Sequence, residues 1–204
     1  VEKPAETRYP INEIIRRRWS PRAFSDRPVE PEIFGSLFEA AHWAPSCNNR
    51  QPWHYLVARK EEPAEFDRML QCLVPGNAAW CKDAPALMIS VANTRWDNGE
   101  PNRHAWHDVG LASSQLTIEA VSRGLFVHQM AGILPDKIRE TYAIPDGFDP
   151  VAGFALGYPG DPNKLPDKLR ERELAPRTRK PLESFVFSGR WGEASPLLKS
   201  GSSR

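Results

Sequence analysis

Arg17-Arg18-Trp19-Ser20-Pro21-Arg22-Ala23-Phe24 sets three guanidinium groups and one hydroxyl within six residues. A guanidinium grips phosphate through two parallel N–H donors, and a hydroxyl adds a neutral one, so Arg18, Ser20 and Arg22 form one side of a cup for a phosphate monoester. Near the other end, Arg177 and Arg179 again occupy alternate positions. They are the candidates to close that cup.

The charge distribution sharpens this reading. The chain of 204 residues carries 27 Lys and Arg against 26 Asp and Glu, a net charge of +1. That balance excludes a surface that tracks nucleic acid or an anionic membrane throughout. Residues 8–27 nevertheless hold six Arg against Glu13 and Asp26, a surplus of +4, and residues 164–180 hold a second +4. The remainder is acidic by seven charges. Either the blocks are two solvated faces, or they converge on one anion.

An apolar content of 40% is that of a folded globular protein, and the length suits one large domain or two small ones, read as a single domain over residues 1–204 because no linker splits it. No apolar run exceeds four residues, so no segment spans a bilayer. Three cysteines make neither a disulfide framework nor a zinc knuckle. The expectation is a cytoplasmic protein.

Ile11, Ile14 and Ile15 predict a helix over 11–18, ended by Pro21. Pro31 opens a second, through Phe34, Leu37, Phe38 and Ala41. Strands are expected at Trp53–Ala58, Ala86–Ala92, Leu125–Met130 and Val151–Tyr158, the second nearly all apolar and therefore central. A helix from Pro63 carries Phe66, Met69, Leu70 and Leu73 on one face, and a short one runs from Pro135 to Tyr142. The longest periodic element, His104–Arg123, has an apolar line at Trp106, Val109, Ala112, Leu116 and Ala120, with Gly124 placed to cap it. Gly110, Ala112, Ser113 and Ser114 make this helix slim, as a central or dimer-interface element would be. From about 159 to 192 the chain reads as an extended, proline-rich tail that must lie over something.

Several common signatures are missing. There is no Gly-x-Gly-x-x-Gly, no P-loop and no Gly-x-Ser-x-Gly elbow. His104, His107 and Asp108 have one-face spacing but find no further ligand set, which leaves surface histidines as the plainer reading. Cys47, in a polar loop, has no orienting partner for a nucleophile. No acid, base or metal site stands out.

Three motifs in order, Arg-Arg-x-Ser-x-Arg-x-Phe, then Ala-Pro-Ser-x-x-Asn-x-Gln-Pro-Trp at 44–53, then Arg-x-Arg-Lys-Pro-Leu-Glu at 177–183, resemble the FMN-dependent nitroreductase family over roughly residues 10–192. The resemblance implies a three-layer α+β fold, with a central, mostly antiparallel sheet flanked by helices. It further implies a homodimer with FMN at the subunit interface and a C-terminal tail wrapping the partner. Arg18, Trp19, Ser20 and Arg22 would then bind the FMN phosphate and ribityl chain, with Arg177 and Arg179. Pro45, Ser46, Cys47, Asn49 and Gln51 would reach the flavin from the other subunit. Gln129, Met130, Ala131 and Gly132 would lie against its ring, and Asn77 at its edge.

NADH or NADPH would supply hydride, and a nitroaromatic, quinone or similar small acceptor would receive it in a ping-pong cycle. Such chemistry belongs to the cofactor, which accounts for the missing acid and base. Same-fold reductive dehalogenation or flavin fragmentation, and a non-catalytic flavin-binding role, stay open as alternatives. Trp80 stands where a Lys might be expected a turn after Asn77, an aromatic surface that would shape acceptor choice. Residues 94–106, rich in Arg, Asp and Trp, are the candidate lid.

Overall fold

A computed structural model describes residues 2–200, with side chains through Leu198. Four strands, β1 (Trp53–Arg59), β2 (Ala86–Asn93), β3 (Phe126–Met130) and β4 (Phe148–Gly157), form one sheet in the order β1-β2-β4-β3. Every neighbouring pair is antiparallel. The apolar Ala86–Ala92 run is an internal strand, as its composition requires.

Helices cover both faces of this sheet. Leu87, Ile89 and Val91 of β2 pack with α3 (Pro63–Leu70), α4 (Pro75–Cys81) and α6 (Pro135–Tyr142), which contribute Phe66, Met69, Trp80, Cys81 and Ile138. Ala86 and Met88 point the other way, toward α2 (Pro31–His42) and α5 (Ala105–Ser122), which contribute Phe34, Leu37, Ala112 and Leu116. A strand covered on both faces needs apolar residues at both parities. The result is the three-layer α+β architecture.

Local differences from the sequence reading have physical causes. Helix α1 is only Glu13–Arg17, capped by the Asn12 side chain, which accepts from the Ile14 N–H at 2.9 Å. The helix from Pro63 ends at Leu70, and Leu73 instead bridges to Ile133. Helix α4 went unseen because Gly76 and Asn77 are poor helix formers. Strand β4 starts at Phe148 and runs through Pro150, whose missing N–H is tolerated beside the bulge between Ser90 and Val91. Gly124 follows α5 with φ of 78°, as expected of a helix stop.

Two corrections are larger. Trp106 does not extend the buried line of α5, since it is 47% exposed, while Val109, Ala112, Leu116 and Ala120 are buried. The tail beyond Pro159 is not simply extended either. It contains α7 (Asp167–Leu174), whose approach is fixed by Leu165 and Leu169 packing on the core and by a buried Glu173.

The start of β4's exit is stitched to the Arg22–Phe24 segment. The Gly160 N–H donates to the Ala23 carbonyl at 2.9 Å, and a Cβ at Gly160 would lie 2.3 Å from the Phe24 carbonyl oxygen. Backbone cannot yield as a side-chain tip can, so Gly160→Ala should destabilise the fold by about 1–3 kcal/mol. Urea denaturation with the midpoint unchanged would contradict that close approach.

Candidate functional site

The two basic blocks meet. Arg18 is half-buried, and its guanidinium pKa is lowered first by burial and then by the neighbouring charges of Arg177 and Arg179. Arg177 is lowered likewise, by burial and by Arg179. Three like charges gather at one place, and two of them lose hydration there. The Arg18 Nη1 donates to Ser20 Oγ at 3.3 Å, so the sequence-expected hydroxyl lies inside this cluster.

Tethers from both ends of the chain hold the cations in place. Arg177 Nη1 donates to the carbonyls of Lys3 at 2.7 Å and Arg16 at 3.0 Å. Arg179 donates to its neighbour's carbonyl, that of Thr178, at 2.8 Å. Arg22 leans over the Trp80 ring at 6.0 Å and toward Glu173. Glu173 accepts the backbone N–H groups of Arg22 at 2.8 Å and Ala23 at 3.1 Å. Nothing in the sequence marked Glu173, which sits in a highly charged helix and reads there as solvated.

Trp19 contributes differently from its sequence expectation. Its ring is buried, edge-on to Phe126 at 6.2 Å between ring centres, so its indole belongs to the core. Trp80 is also buried and lies against His128 at 4.7 Å. It supports the arginine segment from beneath and offers no aromatic surface to an acceptor. His128 completes that support by donating from Nδ1 to the Pro21 carbonyl at 2.9 Å.

A second group forms where β3 runs into α4. The Gly132 carbonyl accepts from the Asn77 side chain and from the Val74 N–H, each at 3.1 Å. A Cβ on Gly132 would stand 2.3 Å from Asn77 Nδ2 and 2.8 Å from Val74 Cγ2, so these side chains would have to shift to make room for one. Met130 is buried, Ala131 is exposed, and Gln129 spends its amide on the Ser113 carbonyl and Thr117 Oγ1 at 3.2 and 2.9 Å. Asn77 and Gln129–Gly132 are thereby brought together.

Pro45, Ser46, Cys47, Asn49 and Gln51 form a third group, apart from the first. Asn48, Asn49 and Gln51 have φ of 52°, 53° and 50°, a left-handed run that asparagine tolerates better than other residues. Ser46 Oγ accepts the Gln51 N–H at 3.0 Å, and the buried Asp108 accepts the Cys47 N–H at 3.1 Å. Asp108 is therefore a loop anchor. Arg50 pairs with Asp97 at 2.9 Å, which ties the candidate lid to this same loop.

Helix α5 measures the separation. Asp108 holds the Cys47 loop near one end, and Val121 packs on Trp19 near the other. Thirteen helical residues rise about 20 Å. One chain thus places the Cys47 loop and the Trp19 segment at opposite ends of α5.

The nitroreductase family profile matches residues 15–158. The chain belongs to the nitroreductase family. Among its relatives, an uncharacterised 15.4 kDa protein of Mycolicibacterium smegmatis is 41% identical over 130 residues, covering 62% of this chain and 84% of that protein. A protein of Methanothermobacter thermautotrophicus named as an NADH dehydrogenase/NAD(P)H nitroreductase is 30% identical over 159 residues, covering 74% and 78%. A solved structure described as an oxidoreductase containing FMN superposes with a TM-score of 0.86 at 37% identity, covering 91% of this chain and 95% of the other.

His128 gives this nitroreductase a testable pH signature. Burial, reinforced by Arg22 and Arg18 and opposed by its bonds to the Pro21 and Ser20 carbonyls, lowers its pKa to about 4 from an ordinary 6.5. The unfolded chain therefore binds more protons between these values. Stability should fall as pH drops through that window, at up to about 1.4 kcal/mol per pH unit. Urea midpoints at pH 7 and pH 5 measure this fall, and it should shrink in His128→Gln.

Proposed function

We propose that the protein is a homodimeric FMN-dependent oxidoreductase that takes hydride from NAD(P)H and reduces nitroaromatic, quinone or similar electron-poor acceptors by a ping-pong mechanism. The carrying observation is the convergence of Arg18, Arg177 and Arg179 beside Ser20, a donor set of the charge and number that suits a phosphate monoester dianion. The FMN named for the similar solved structure and the NAD(P)H named for the archaeal relative support the same reading.

When bound, FMN supplies a ring that accepts hydride and gives up electrons. The chain's own residues bind and orient it. Arg18, Ser20, Arg22, Arg177 and Arg179 would hold the phosphate end, with Trp19 serving through its backbone. Asn77 and the Gln129–Gly132 segment would border the ring, the segment offering backbone N–H donors. Pro45, Ser46, Cys47, Asn49 and Gln51 would arrive from the partner protomer, since within one chain their loop is anchored at Asp108, about 20 Å along α5 from Val121, which packs on Trp19.

The face available for pairing runs along α5 and α2. Trp106, Gly110 and Ser114 of α5 are exposed in one line, and Trp43 at the end of α2 is 76% exposed. A shallow depression between the helices is lined by Ala40, Trp43, Ser114 and Ile118. Small residues there let a second copy approach closely and bury the exposed indole. The C-terminal tail wrapping the partner would add to this contact.

Purified protein should be yellow and sediment as a dimer. Arg179→Glu should abolish flavin retention while leaving the dimer intact, and full flavin occupancy in that variant would refute the phosphate assignment. Ser114→Arg should yield a monomer that has also lost flavin. A flavin-loaded monomer would refute the shared site.

A further inference from the structure

A carboxylate in an anion cup is an electrostatic liability, because it repels the phosphate that the arginines attract. Glu173 is nevertheless buried there, 1% exposed. Its Oε1 accepts two consecutive backbone N–H groups, from Arg22 and Ala23, at 2.8 and 3.1 Å. Its Oε2 has no hydrogen bond, and the Arg22 guanidinium stays 3.9 Å away, beyond bonding distance. Its own carbonyl accepts from Lys3 Nζ at 2.6 Å. One residue therefore joins the N-terminal segment, the Arg22 turn and α7.

The bonds that are made run to backbone, and the charge pair is the contact left loose. From this asymmetry we infer that Glu173 is a positioning residue for the cofactor phosphate: it fixes the Ser20–Ala23 backbone so that Ser20 and Arg22 face the same anion as Arg18, Arg177 and Arg179, and it does so by reach rather than by charge. The inference rests on the FMN reading and concerns only the phosphate end of the site.

Reach and charge separate in two conservative variants. Glu173→Gln keeps the length and an acceptor oxygen but removes the charge. Glu173→Asp keeps the charge but withdraws the acceptor by one methylene, about 1.5 Å. The full-length protein, stripped of flavin, is titrated with FMN and separately with riboflavin, which lacks the phosphate, following flavin fluorescence.

Glu173→Gln should retain FMN affinity within about threefold, whereas Glu173→Asp should lose about tenfold or more, the scale of an impaired charged hydrogen bond. Riboflavin affinity should stay within about twofold in both, a pattern that a general loss of structure does not give. The inference is overturned if the Gln variant loses FMN and the Asp variant keeps it, if both flavins weaken together, or if neither variant moves FMN. Binding of neither flavin by the unsubstituted protein overturns the cofactor reading itself, and this inference with it.

Discussion

Arg18, Arg177 and Arg179 repel one another, and the fold must hold them together from positions some 160 residues apart in the chain. Such a cluster is unfavourable on its own, so other interactions have to offset it. The tethers are backbone carbonyls and one carboxylate: Arg177 is held by Lys3 and Arg16, and the Arg22 turn by Glu173. None of them neutralises the cluster. On the proposed reading, an incoming phosphate dianion would relieve this repulsion.

Helix α5 carries the consequences of that arrangement to the rest of the molecule. Its inner side buries Val109, Ala112, Leu116 and Ala120, while its outer line of Trp106, Gly110 and Ser114 stays open. Its two ends anchor different segments, the Cys47 loop through Asp108 and the Arg18 segment through Val121 and Trp19. Two buried carboxylates, Asp108 and Glu173, thus perform the same task at two places. Asp108 accepts one backbone N–H from its loop and Glu173 two from its turn, which ties each segment to the elements beneath it.

Much of this was legible in the chain. The apolar runs located all four strands, because a sheet covered on both faces needs uninterrupted apolar residues. The paired +4 blocks and the alternate arginines are the charges that the fold gathers at Arg18, Arg177 and Arg179. Illegible parts share a cause. Glu173 looks like any charge in a polar helix until Leu165 and Leu169 pull that helix onto the core. Helix α4 contains Gly76 and Asn77, poor helix formers, and is held by the burial of its Trp80 and Cys81 in the core. Trp19 and Trp80 are amphipathic side chains that suit a ligand site and a core equally, and the packing around Phe126 and His128 placed them inside.

Residue chemistry and spacing therefore carried the resemblance to the family and the layered architecture. These depend on local pattern and on side-chain type, which a chain displays without being folded. Tertiary structure decided which charges are buried, which aromatics are spent on the core, and that the arginine cup and the Cys47 loop lie at opposite ends of one helix. Those are questions of distance between residues far apart in sequence, and distance is set only when the helices pack upon the sheet.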